Sequence, residues 1–397
     1  MSDKLINVYA KLSKIKSQVH RVVGLIKEFF VLSTHRDAIV HIGHFSNGKV
    51  MSGNIGDPLL YYELENLYDK ITGEKHIWYH RKITWEVSRQ EIWLWNRFAK
   101  GIIVGGHGLL MVDTGRNDNS GWQFNINLQL LRDLSCPLAI LAIGYNTFRG
   151  QQDFNKAFGP HINECARKSI VFGLRNYGSI RALSEYLDSG NKQKICFQPC
   201  PTTMLSLYEQ LPNVEKNKSI GICLAFDRFQ NRFGKNFNRT VESLLTYKEI
   251  WEKKGYNVFF FVHNPIDLKT EYAQKIENHG ECIYSISGLT YSQIFEFYLS
   301  KTLIVGMRGH SLMIPWGLRT PVISLTTQNK QKWFIEITGH DERSIEVELD
   351  DILTPLNSET EYIVDNYEKV INDIIDKQKE FYSITQNNLF KVCKAMQ

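Results

Sequence analysis

Arg308 and His310 stand two residues apart in Thr302-Leu303-Ile304-Val305-Gly306-Met307-Arg308-Gly309-His310, at the end of an apolar run and just before SLMIPWGL, which reads as a helix. A charged pair at the end of a buried strand has little packing reason to exist. Histidine transfers protons near neutrality, arginine neutralises an anion, and Gly309 between them keeps the turn unobstructed. The helix terminus adds a positive pole. Gly173-Leu174-Arg175-Asn176-Tyr177-Gly178-Ser179 also ends a strand in an arginine, beside a helix expected to begin near Ser179. That arginine can make a two-point contact with a carboxylate or phosphate, or lie on the surface with Ser179 as an ordinary helix cap. In Ser52-Gly53-Asn54-Ile55-Gly56-Asp57-Pro58, backbone amides and a helix terminus would favour an anion or a sugar hydroxyl. Asp57 before Pro58 reads equally well as a helix cap. Gly105-Gly106-His107-Gly108 follows the strand IIV; its missing side chains let backbone approach a ligand or another loop, and His107 reads as a loop residue.

Residues so far apart in sequence need a scaffold that brings strand ends together. From Ala38 onward, strand-like runs (AIVHIGHF, IIVGG, LAILAIG, SIVFGLR, KICFQP) alternate with helical patterns, and a second series (SIGICLAF, NVFFFVHN, CIYSIS, TLIVGM, PVISLTT) follows the polar stretch Leu211 to Lys218. This is the pattern of parallel sheets with crossover helices. The fold class expected is α/β, with two doubly wound, Rossmann-like domains facing a cleft. The divisions read from the sequence are a basic amphipathic helix at 1–35, an acceptor-side domain at 36–210, a donor-side domain at 219–350, and a helix at 359–397. In the first helix Val8, Leu12, Ile15, Val19, Val22, Leu25 and Phe29 recur at helical spacing among Lys11, Lys14, Lys16, Arg21 and Lys27. It reads either as attachment to an anionic membrane surface or as a helix packed on the first domain.

Composition narrows the function classes. A chain of 397 residues, 43% hydrophobic and 22% charged, exceeds one comfortable core and fits two globular domains. A net charge of +5 spread over 47 basic and 42 acidic residues lacks the concentrated face of a nucleic-acid binder, so a small anionic substrate is expected. The 7 cysteines include no C-x-x-C pair, which argues against a disulfide framework or a zinc knuckle and for reduced thiols in the cytoplasm. The run Val22 to Leu32 is broken by Lys27 and Glu28 and is not read as an export signal. No stretch reaches the roughly 20 apolar residues of a membrane span.

The order of these strand ends resembles that of the polysaccharide pyruvyl transferase family: N-x-G-D, a glycine cluster, R-x-x-S, then G-M-R-x-H followed by a helix and G-x-P. Here these are Asn54 to Asp57, Gly105 to Gly108, Arg175 with Ser179, Gly306 to His310, and Arg319-Thr320-Pro321. The resemblance implies a glycosyltransferase B-like fold and transfer of the enolpyruvyl group of phosphoenolpyruvate to hydroxyls of a sugar or lipid-linked oligosaccharide acceptor. The product would be a pyruvate ketal on a polysaccharide, as in an exopolysaccharide or capsule. It further implies that His310 is the acid/base, that Arg308 and Arg175 hold phosphoenolpyruvate, and that Asp57 orients the acceptor hydroxyl. Asn54, Gly56, Ser179 and Gly309 join the binding site, Gly105 and Gly106 line the acceptor side, and neither metal nor other cofactor is required. The chain departs from the pattern at Gly309, where many members carry leucine, at His107, at the Arg175–Ser179 spacing, and at Cys200, which replaces the acid of a Pro-Asp-Pro. Two other readings fit the residues: a glycosyltransferase using a nucleotide sugar, and a non-catalytic protein that binds glycan precursors.

Overall fold

The buried, β-branched runs form two six-stranded sheets, all of whose pairings are parallel. The structure, a computed structural model, describes residues 22–45 and 55–397. Strands β1 (Ile39–Gly43), β2 (Trp78–Lys82), β3 (Gly101–Gly105), β4 (Leu138–Ile143), β5 (Ser169–Leu174) and β6 (Ile195–Phe197) make the first sheet, in the order β2-β1-β3-β4-β5-β6. Strands β7 (Ser219–Leu224), β8 (Asn257–Val262), β9 (Ile283–Ser285), β10 (Leu303–Gly306), β11 (Val322–Thr326) and β12 (Ser344–Glu346) make the second, in the order β12-β11-β10-β7-β8-β9. The central strands β1, β3, β4, β7, β10 and β11 are buried along their whole length, as strands covered by helices on both faces must be. The second order is that of a Rossmann sheet, and the two facing doubly wound units give the glycosyltransferase B-like architecture.

The long terminal helix expected from residue 359 is two helices. Leu353–Asp365 stops at Asn366, whose φ of −117° and ψ of 32° leave the helical region, and Tyr367–Met396 follows. The second of these crosses from one sheet's domain to the other. Gln378 donates to the carbonyls of Trp316 and Gly317 at 2.9 and 3.1 Å, and Asn388 donates to the carbonyl of Phe197 at 3.0 Å. A single apolar cluster consequently runs from Ile39, Leu60 and Leu64 through the second domain to Phe381 and Leu389.

Residues 1–21 lie outside the described residues, so only the end of the amphipathic N-terminal stretch is seen, as a helix over 22–34. One side docks on the first domain: Leu32 is fully buried and Trp95 Nε1 donates to Glu28 Oε1 at 2.6 Å. The other side leaves Val22, Val23, Ile26 and Phe30 more than half exposed and, with Trp93, borders an open apolar groove. No helix among the described residues is long and apolar enough to cross a membrane.

Candidate functional site

Strand order reverses between β1 and β3 in the first sheet and between β7 and β10 in the second, and doubly wound folds bind ligands beyond the carboxyl ends of strands at such points. Here the two reversal points face each other across a cavity of about 400 Å³. His44 follows β1, His107 and Gly108 follow β3, Asn146 follows β4 and Arg175 follows β5. From the second domain Asp227, Arg228 and Arg232 follow β7, Asn264 follows β8, Arg308 and His310 follow β10, and Lys330 follows β11.

The structure brings Asp57, Arg175, Arg308, Gly309 and His310 into this one cavity. Asp57 sits in the first turn of helix Gly56–Thr72, one residue inside it, and Ile55 occupies the cap position. The Asp57 carboxylate lies 4.0 Å from His310 Nδ1. At Gly56 the two domains touch closely, since a Cβ added to it would fall 2.0 Å from His310 Nδ1. Asn54 lies outside the described residues.

Two expectations change. Gly105 and Gly106 do not line the cavity. The Gly106 amide is spent on the Leu141 carbonyl at 3.0 Å, and a Cβ on Gly105 would meet that same carbonyl at 2.3 Å, so both serve strand packing. The glycines that matter to Arg175 are Gly144 and Gly108, where an added Cβ would stand 2.3 and 3.3 Å from guanidinium nitrogens. Ser179 is neither ligand-facing nor a helix cap. Asn176 caps helix Tyr177–Ser184 by accepting from the Ser179 amide at 2.7 Å, while Ser179 Oγ accepts from the Tyr145 amide at 3.1 Å and fixes the loop leading to Asn146.

The cavity is crowded with cations, and most are individually matched. Arg308 Nη2 contacts Asp267 Oδ2 at 2.5 Å and Asp227 Oδ1 at 2.8 Å; Arg232 Nη2 contacts Asp227 Oδ1 at 2.9 Å; Arg228 Nε reaches across the cleft to Asp113 Oδ2 at 2.7 Å. Burial alone would raise the Asp227 carboxyl, but Arg232, Arg308, Lys330 and Arg228 together hold it well below the usual carboxylate range. Burial pushes His310 down to about 3, with Arg175, His107 and Lys330 acting the same way and Asp57 opposing, so the ligand-free imidazole is neutral at physiological pH. His107 is likewise lowered to about 4 by burial, and its Nε2 bonds the Asp57 carbonyl at 2.8 Å.

Arg175 Nε, Arg308 Nε, His310 Nε2 and Asn146 Oδ1 are buried with no hydrogen-bond partner. Buried polar groups are nearly always satisfied, so this convergence in one cavity marks a place prepared for a polar ligand. Asp227, Arg228, Arg232, Asn146 and Lys330 escaped the reading of the sequence. Each follows a strand whose existence was legible, and inspecting every strand end rather than the glycine-rich ones would have found them.

No curated protein sequence matches the chain. Solved structures of similar shape include the S. aureus protein MnaA in its UDP co-structure, at 12% identity and a TM-score of 0.47 over 85% of this chain and 90% of that one. Another is UDP-GlcNAc 2-epimerase from Methanocaldococcus jannaschii in complex with UDP-GlcNAc and UDP, at 11% identity and a TM-score of 0.47 over 81% and 91% of the two chains. The family described as polysaccharide pyruvyl transferase matches residues 54–329, a span that reaches from the Asp57 loop through Arg175 to the turn bearing Arg308 and His310. With that match covering well over half its length, the chain belongs to the polysaccharide pyruvyl transferase family.

Proposed function

We propose that the protein transfers the enolpyruvyl group of phosphoenolpyruvate to two hydroxyls of a sugar, free or lipid-linked, giving a pyruvate ketal and releasing phosphate. The observation that carries this reading is the convergence of unpartnered Arg175 Nε, Arg308 Nε and His310 Nε2 in one cationic cavity. Phosphoenolpyruvate is a compact anion with a carboxylate and a phosphate, and guanidinium groups match both. Arg308 is anchored at Nη2 by Asp227 and Asp267, which fixes its guanidinium in the cavity wall while its Nε has no partner among the described residues. Such preorganised charge stabilises the transition state without reorganising during the reaction.

The chemistry adds a proton to the methylene carbon and an acceptor oxygen to its neighbour. His310, neutral and beside Asp57, is suited to take the hydroxyl proton at Nε2 while Asp57 orients the ring through Nδ1.

Incubation with phosphoenolpyruvate and a panel of aryl and lipid-linked glycosides should release phosphate as the acceptor gains the mass of a ketal. Consumption of nucleotide sugars in its place would refute the reading. His310→Ala should abolish turnover yet keep phosphoenolpyruvate's protection against thermal unfolding, whereas Arg308→Ala should weaken that protection. Unchanged turnover in both variants would remove this cavity from the reaction.

A further inference from the structure

We propose that Lys330 is the acid that protonates the methylene carbon, leaving His310 to act as the base toward the acceptor hydroxyl; this rests on the pyruvyl-transfer reading above. Lys330 opens helix Asn329–Thr338, just beyond the stretch that matches the family. It lines the cavity, and its Cε lies 3.9 Å from where a Cβ on Gly309 would stand, so its side chain runs along the turn that carries Arg308 and His310.

Elimination within the cavity points to it. One group cannot give a proton to one carbon while taking a proton from the hydroxyl attacking the next, so acid and base must be different side chains. Arg175, Arg228, Arg232 and Arg308 keep their protons at any physiological pH. His107 has both ring nitrogens against carbonyl oxygens, of Asp57 at 2.8 Å and Gly105 at 3.2 Å, and His44 Nε2 is engaged by Gln123 Oε1. Asp57 is placed to orient His310, and the surrounding cations keep Asp227 ionised, with no proton to give.

Lys330 is the remaining group. No carboxylate among the described residues lies within ion-pair distance of its ammonium, whereas its neighbours Arg308, Arg232 and Arg228 each have one. Burial, then Arg175, Arg232 and Arg308, push the ammonium well below the ordinary lysine range against Asp227 alone, and His310 faces it as well. A bound trianion counters those cations, so the donor itself keeps the proton on Lys330 until it is delivered.

The step balances without a further reactant. As the Nζ–H bond of Lys330 breaks and the C2–C3 π pair forms the new C3–H bond, the first acceptor oxygen attacks C2 in the same step and its proton passes to His310 Nε2. The C2–O bond to phosphate then breaks, and phosphate leaves with that proton as hydrogenphosphate. The second hydroxyl attacks C2 and its proton restores Lys330.

The full-length protein is compared with Lys330→Arg and Lys330→Met, following phosphoenolpyruvate binding by calorimetry and turnover across pH. Arginine keeps the charge but cannot give up a proton. Lys330→Arg should therefore bind phosphoenolpyruvate within about threefold of wild type while turnover falls about 100-fold or more, the range for loss of general acid catalysis. Its residual activity should also lose the alkaline decline that wild type shows as Lys330 deprotonates. Lys330→Met should lose both binding and turnover. Near-normal turnover by Lys330→Arg would overturn the acid role and leave Lys330 an anion anchor. A wild-type protein that leaves phosphoenolpyruvate unchanged would overturn the pyruvyl reading itself, and this role with it.

Discussion

Gly56→Ala tests whether the domain contact at Gly56 sets the position of His310. An alanine Cβ there would lie 2.0, 2.2 and 2.4 Å from His310 Nδ1, Cγ and Cβ. Ring rotation relieves the first two clashes but not the third, because Cβ is fixed by the His310 backbone. Unstrained carbon contacts begin near 3.5 Å, so the two backbones must separate by about 1 Å. Both belong to buried first turns, of helix Gly56–Thr72 and helix His310–Gly317, so the strain falls on their separation, which is the width of the cleft. Overpacking of this kind costs about 1–3 kcal/mol, and a misplacement of about 1 Å in a catalytic group costs about 100-fold in rate. The expected result is a loss of about 100-fold in kcat for phosphoenolpyruvate turnover with a modest fall in Tm. Gly159→Ala is the control: it has open space around it, lies in helix Phe158–Lys168, and should leave both unchanged or raise Tm slightly. If Gly56→Ala retains kcat within threefold, His310 is not held by this contact and the placement of the acid/base pair is wrong.

Two further outcomes follow from groups outside the cavity. Burial raises the Glu28 carboxyl from 4.5 to about 7 despite the bond from Trp95, so the folded chain keeps a proton that the unfolded chain releases within that window. Stability is then fully present below 4.5 and falls as pH rises to about 7, by about 3 kcal/mol at 1.36 kcal/mol per pH unit. Glu28→Gln keeps an acceptor for Trp95 without the titration, so its urea midpoint should exceed wild type at pH 8 and converge with it near pH 4.5; an equal difference at both would refute the assignment. The exposed Val22, Val23, Ile26, Phe30 and Trp93, with exposed Lys27 and Arg89, are expected to contact an anionic membrane surface that presents the lipid-linked acceptor. Wild type should co-sediment with phosphatidylglycerol vesicles at low salt and the Phe30→Asp, Trp93→Asp double variant should not; absence of binding by wild type would sink the idea.

The sequence made the central strands legible because each is a short apolar run bounded by polar turns, as in Leu138–Ile143 and Leu303–Gly306. It hid one edge strand of each sheet. Trp78–Lys82 reads WYHRK, with most of its residues only half-buried, and Ser344–Glu346 is three residues long, so neither carries a run of apolar side chains. Arg308 and His310 stood out because polar residues end an apolar run. Arg232 did not, because its burial is earned in three dimensions, by Asp227, the Met307 carbonyl and Thr327 Oγ1 at 2.7 to 3.2 Å. Cap chemistry misled at Ser179 for the same reason: local spacing suits a cap, but its hydroxyl is claimed by the amide of Tyr145, distant in sequence.

The thiol of Cys200, where the family resemblance implies an acid, has a physical consequence in this arrangement. Arg308 is flanked by two aspartates, so its charge is largely balanced before a ligand arrives. Arg175 is buried beside Cys200, whose thiol is pushed up by burial and stays neutral, with Sγ 3.0 Å from Thr202 Oγ1. A carboxylate at position 200 would offset the Arg175 charge; a thiol leaves it for the ligand. With Lys330, which also lines the cavity, Arg175 therefore brings positive charge that no carboxylate among the described residues balances by ion-pair contact, and both lower the basicity of His310.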